Sequence, residues 1–411
     1  MNLLIEHQCP QCGAPAVLKE TDRVVWCEYC RVTSYLLQAD FFRYMLPHSA
    51  PEDRELLFVP YWRFKGMIFS CLSDKIHHRF ADISHQALGM PLFPVSLGLR
   101  SQAMKLRFVS PGTPGRFLKP AVSVKKVMRI FENRFNASFP DPPFHQAFIG
   151  ETTSLIYAPF YVTDKICDGV LNRAISSAEI PPDFHPSDFQ GGPPDWRTRF
   201  VPTLCPNCGW NLEGQPDALA LTCQNCNSVW QSGKKGLKPL SFGQLSDDSI
   251  RDPAICLPFW KIRANISGVP LDSCADMIRL ANLPKVVQED EEALRFHFWI
   301  PGFKVRPQAF LNLARGVTLS QPRGELLPGL PDVPCCPVNL PPSEALQSMR
   351  VTLASFMKPR RMLLPSLQDM KITPERVLLV FVPFAGRPHE YVHPGFQVSV
   401  NKKMLELSGN L

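Results

Sequence analysis

An α+β fold in tandem duplicate is what the 411 residues predict, each half a paired-cysteine hairpin followed by a small, mainly antiparallel sheet unit with one or two amphipathic helices. Three observations predict it. Forty-two prolines, about twice the usual share, interrupt long helices and favour short strands joined by rigid turns. Four CxxC pairs fall into two sets 196 residues apart. Between and after them, proline-aromatic segments recur in the same order, the signature of an internal repeat. Apolar residues make up 45% and charged residues 20%, the balance of a folded globular chain. No apolar run reaches the roughly 20 residues that cross a bilayer as a helix.

The first element is the cysteine hairpin. Cys9 and Cys12 are followed after fourteen residues by Cys27 and Cys30; Cys205 and Cys208 are followed at the same spacing by Cys223 and Cys226. Each CxxC makes a tight knuckle that turns two thiolates toward one ion, and fourteen residues suffice for a hairpin between knuckles. Gly13 and Gly209 follow the second ligand, where a left-handed backbone is expected; Asn227 tolerates that conformation and Arg31 departs from the pattern. The spacing points to two structural Zn²⁺ ions, one per ribbon, with iron-sulfur as the competing ligand set. A redox dithiol occurs singly at a helix start, whereas these pairs face each other across a hairpin. Such thiolates require a reducing compartment, so a cytoplasmic location is expected. Four-thiolate zinc is coordinatively closed and folds a short segment; it activates no water.

The next element is a strand in each half. LLFVPYWRFKGMIFSCL begins at Leu56 and ICLPFWKIRANISGV at Ile255. Period-two alternation puts Trp62 with Phe64, and Trp260 with Ile262, on the core side. It puts Arg63 and Lys65, and Lys261 and Arg263, on the opposite face, where these four are the candidate partner-binding residues. At the same offset Cys256 faces Phe58 and Cys71 faces Val269, which marks both as core cysteines. LGLRSQAM from Leu97 resembles FKVRPQAF from Phe303, and a short helix or turn is expected after each. Apolar residues at 124, 127, 128, 131 and 135, and again at 346, 349, 353, 356 and 357, predict two amphipathic helices with Ser123 and Ser343 as N-caps. Each half closes on a further Pro-aromatic strand, from Ser154 and from Val377.

The resulting division is ribbon one at 1–34, an α+β unit at 35–178, a Pro/Gly-rich linker at 179–202, ribbon two at 203–232 and a second α+β unit at 233–411. A CPxCG and CxYC ribbon followed by VPYWRFKG or LPFWKIRA resembles poorly characterised bacterial zinc-ribbon proteins with a transcription factor IIB-like ribbon. That resemblance covers the ribbons and about 20 residues after each, and it implies a metal module more than a function.

Three function classes compete. The signatures GxxxxGKS/T, HExxH, GxSxG and GxGxxG are absent, and carboxylates such as Asp164 and Asp168 have no replicated partners, so an enzyme with an unrecognised site ranks last. Nucleic-acid binding draws on Trp26, Trp210, Trp230 and the basic strand pairs. The formal charge of +7 counts ligand thiols as neutral; eight thiolates holding two Zn²⁺ remove four charges and leave about +3. The expectation is therefore a noncatalytic scaffold or adaptor subunit that assembles with protein partners in a larger complex, docking through exposed Pro-aromatic strand edges.

Overall fold

The computed structural model describes residues 2–38, 40–175, 180, 190–233 and 236–407, with only the backbone of Glu151. The fold is mixed α+β, 38% strand against 18% helix, as the proline content requires. Among the described residues no helix is long and apolar enough to cross a membrane.

The chain forms two units. Met1–Lys65, Ala81–Phe135 and Thr152–Pro202 make the first; Gly66–Phe80, Asn136–Glu151 and Thr203–Leu411 make the second. The second unit thus takes two segments from early in the chain. The physical reason is burial: Met67, Phe69, Cys71, Ala147 and Ile149 belong to the same apolar cluster as Phe259, Trp260 and Phe310.

The long strands Leu57–Cys71 and His145–Val162 lie side by side in an eleven-stranded sheet that also holds Phe42–Met45, Lys105–Phe108 and the hairpin Leu4–Gln8 with Pro15–Lys19. That sheet is mixed, since Phe42–Met45 pairs parallel with Ser154–Tyr157 and Leu4–Glu6 with Lys105–Arg107. A separate seven-stranded sheet centres on Ile255–Ser267, antiparallel to Lys371–Gly386 on one side and to Phe298–Pro301 on the other. Leu57–Cys71 is buried at every position. Both Pro-aromatic strands therefore run inside their sheets, which corrects the expectation of exposed edges.

Two tryptophans lock strands to helices. Trp62 is 8% exposed and its indole N–H donates to the Val122 carbonyl at 2.8 Å, two residues before the helix Val124–Asn136. Trp260 is 1% exposed and donates to the Leu340 carbonyl at 2.9 Å, two residues before the helix Pro342–Phe356. The first helix buries Val127 and Phe131, and the Ser123 hydroxyl accepts from the Lys126 amide at 3.3 Å as a cap should. Ser343 makes no such cap: the second helix starts at Pro342 with Pro341 at its N-cap, because proline lacks the N–H that a first turn leaves unpaired. The short turns expected near Gln102 and Gln308 differ in length, a four-residue helix Arg100–Ala103 and a fourteen-residue helix Pro307–Ser320.

Of the Pro/Gly stretch 179–202, residues 179 and 181–189 lie outside the described residues. Gly191–Gly192 pairs with Phe117 and Leu118, and Arg199–Pro202 pairs antiparallel with Ser34–Leu37, so the described part is built into strands. The basic pair Lys234 and Lys235 also lies outside the described residues.

Candidate metal centres

Each set of four cysteines converges. In the first ribbon Cys9 and Cys12 occupy the turn after Leu4–Gln8, while Cys27 and Cys30 flank the turn between Val24–Trp26 and Thr33–Leu37. The Gly13 amide donates to the Cys9 carbonyl at 2.9 Å and the Arg31 amide to the Cys27 carbonyl at 2.8 Å, closing both knuckles. The second ribbon repeats the first of these bonds, Gly209 to Cys205 at 2.9 Å. Gly13, Arg31, Gly209 and Asn227 all take positive φ, at 75°, 60°, 74° and 50°. Arg31 is forced there by the knuckle despite its Cβ.

The sulfur geometry tests the fit to metal. Cys9 and Cys30 stand 3.8 Å apart and Cys12 and Cys27 3.7 Å; Cys205 and Cys226 stand 3.6 Å apart and Cys208 and Cys223 3.5 Å. A tetrahedron with metal–sulfur bonds of about 2.3 Å has edges of about 3.8 Å. These separations are far beyond a disulfide of about 2.05 Å. Within each set all four sulfurs lie within 4.8 Å of one another, room for one ion and not for a cluster of irons. The two tetrads can thus each hold a metal ion, in a geometry consistent with zinc.

Local electrostatics divide each tetrad: Cys9, Cys205 and Cys226 are held toward thiolate, while burial and the neighbouring sulfurs push Cys12, Cys30 and Cys223 up. The backbone N–H groups of Cys12 and Gln11 point at Cys9 and hold its thiol down at about 7. At Cys205 burial pushes the thiol up, but the amides of Cys208 and Asn207 with the Cys226 and Ser228 side chains outweigh it and hold it at about 6. The second ribbon has a support that the sequence reading missed. The Trp230 indole N–H donates to the Ser228 hydroxyl at 2.8 Å, and that hydroxyl lies 3.1 Å from the Cys226 sulfur. A serine two residues after the last ligand was the available signal; Val32 stands at that position after Cys30. Trp230 is consequently buried, while Trp26 and Trp210 are 56% and 59% exposed.

The candidate partner residues do not share one environment. Arg63 is 1% and Lys65 4% exposed, which overturns their expected place on an open face. Arg63 forks onto Asp82 through two bonds of 2.8 Å and also binds Glu20, which receives Lys65 at 3.4 Å. Alternation misled here because both faces of Leu57–Cys71 are covered, and acids from elsewhere in the chain neutralise the polar side. Lys261 and Arg263 are half-buried on the face of the other sheet.

Other chemistry-bearing residues make contacts within the chain. Asp168 is buried, pairs with Arg100, and accepts from the amides of Val170 and Leu171 at 2.9 and 3.1 Å. His78 lies 2.9 Å from the Gln308 side-chain oxygen, and His77 stands edge-on to Phe139. Cys71 and Cys256 are buried, as expected of core positions, and so is Cys274. Among the described residues the two tetrads are the clusters of potential metal ligands. No protein-family model, no curated protein and no solved structure matches the chain.

Proposed function

We propose that this chain is a noncatalytic adaptor in which two four-thiolate zinc centres fold ribbons that dock protein partners, in a reducing cytoplasm. One observation carries the reading. Both ribbons present large apolar side chains to solvent beside their ligands: Trp26, Tyr29 and Val32 at the first, Leu204 and Trp210 at the second, with Tyr29 70% exposed. Stabilising a short ribbon with metal while leaving tryptophan and tyrosine outside is the arrangement of a binding surface, because such side chains dominate protein interfaces at low entropic cost. A closed thiolate tetrahedron offers no open position for substrate or water.

Tandem duplication accounts for the bivalence. The equal ligand spacing, the four left-handed knuckle residues and the Trp62 and Trp260 bonds to carbonyls two residues ahead of a helix all support it. The ribbon type, resembling the transcription factor IIB-like one, is compatible with several pathways.

The test is affinity purification of the full chain from its host, with and without nuclease, against a Trp26→Ser, Tyr29→Ser, Trp210→Ser variant shown to retain its metal. Stoichiometric proteins that survive nuclease and are lost with the variant support the adaptor. Capture that disappears with nuclease transfers the aromatics to base stacking and the function to nucleic-acid binding.

A further inference from the structure

We propose that the second unit carries a binding site for a phosphate-class oxyanion, formed by Lys261, Arg263 and Arg376 on one face of its sheet. These side chains line a cavity of about 110 Å³ closed by His297, Leu326 and Leu378.

Strand register brings the cations together. Lys261 and Arg263 are two apart on Ile255–Ser267 and share a face. On Lys371–Gly386, Arg376 stands directly opposite Arg263, and Leu378 opposite Lys261. Like charges placed directly opposite across an antiparallel pair are destabilising. The pairing shifts register between Arg263 and Ala264, which leaves Glu375 as the extra residue of a bulge, and Glu375 meets Arg263 at 2.8 Å. That is the one carboxylate found on the cluster among the described residues. Lys261 instead lies over the Trp299 ring, 5.2 Å from its centroid. Three cations against one carboxylate leave two positive charges around a small cavity.

The first unit supplies the contrast. There the matching strand pair, Arg63 and Lys65, is buried and neutralised by Glu20 and Asp82. In the second unit Glu375 is the one acid on the cluster among the described residues, against the two that serve Arg63 and Lys65, so an external anion completes the charge balance. A phosphate monoester or inorganic phosphate, carrying about −1.5 to −2 at neutral pH, matches the two uncompensated charges, and two guanidinium forks suit its oxygens. A phosphodiester carries only one charge and a carboxylate likewise. Burial, with Arg376 nearby, lowers the Lys261 pKa, so an anion placed beside it would favour the charged form.

The experiment is calorimetric titration of the metal-loaded full chain with inorganic phosphate, against acetate at matched ionic strength. The expected result is saturable binding of one phosphate, weakened about tenfold or more by Arg376→Gln and by Lys261→Met. Arg376→Gln removes a repelling charge, so its melting temperature without phosphate stays level or rises, while the phosphate-induced rise of the wild type is lost. A short oligonucleotide with a 5′-phosphate, compared with its 5′-hydroxyl twin, separates a nucleic-acid terminus from free phosphate as the source. Phosphate binding no tighter than acetate, or unchanged in Arg376→Gln, overturns the site.

Discussion

The Trp260 indole N–H reaches the Leu340 carbonyl at 2.9 Å and ties the central strand of its sheet to the start of the helix Pro342–Phe356. Neither group meets water, so the bond satisfies a carbonyl that has no alternative donor from solvent. Trp260→Phe should keep most of the ring packing while stranding that carbonyl, at a cost of roughly 1 to 3 kcal/mol. Trp62→Phe, whose acceptor Val122 precedes the other helix, should act in the same direction. Denaturant unfolding of both variants measures the effect; no loss in either would mean that the bond contributes nothing net.

The metal centres make a graded prediction. Metal analysis should find two zinc ions per chain, one in Cys27→Ser and two in Cys256→Ala, which only truncates a buried side chain. Because Ser228 and Trp230 buttress Cys226 and the first ribbon has Val32 in that place, a chelator should empty the first ribbon first. Loss of outer supports typically costs about 10- to 100-fold in metal affinity. Ser228→Ala should therefore bring the second ribbon to the release rate of the first. Equal release rates in the wild type contradict the argument.

The buried ion network yields a third prediction. Removing Glu20 as Glu20→Leu takes from Arg63 and Lys65 the buried carboxylate that both reach, leaving Asp82 on Arg63 and the Asn2 side-chain oxygen on Lys65, and breaking a buried pair costs about 3 to 5 kcal/mol. Combining it with Arg63→Met and Lys65→Met should recover most of that loss, since the three most buried charges then go together and Asp82 keeps the Gln102 amide. The exposed pair Arg279 and Glu292 is the control, and its removal should cost less than about 1 kcal/mol. A triple variant as unstable as Glu20→Leu would show that packing, not charge, governs the site.

The same network shows what sequence could and could not reveal. Ligand identity and hairpin geometry were legible in the cysteines, because four spacings and two glycines determine a knuckle locally. The burial of Trp62 and Trp260 was legible in period-two alternation. The fate of Arg63 was not, because its acids lie 43 and 19 residues away and nothing in the local pattern announces them. Nor was the assignment of Met67 through Cys71 to the second unit, since an apolar strand reads alike whichever core receives it. The N-cap expected at Ser343 falls two residues earlier, at Pro341, because proline at the helix start competes with a serine cap.

The last prediction concerns acid. His393 is fully buried, stacked on Phe396 at 3.5 Å and edge-on to Phe384, with its Nε2 3.2 Å from Asp247. Burial holds its imidazole down at about 4, against the opposing pull of Asp247. In the unfolded chain the same group titrates near 6.5. Between those values the unfolded state binds the additional proton, so stability is constant above about pH 6.5 and falls as pH drops toward about 4. At about 1.4 kcal/mol per pH unit, His393 alone should remove about 3 kcal/mol over that window. Burial also lowers His145 and His297 to about 4, so the wild-type slope should exceed that of one proton. His393→Phe preserves an aromatic ring in the stack and removes one titrating group. Its unfolding free energy measured from pH 7 to pH 4 should therefore fall less steeply than the wild type by close to one proton. Parallel curves would show that His393 enters the folded state already charged, paired with Asp247, and that the acid sensitivity arises elsewhere.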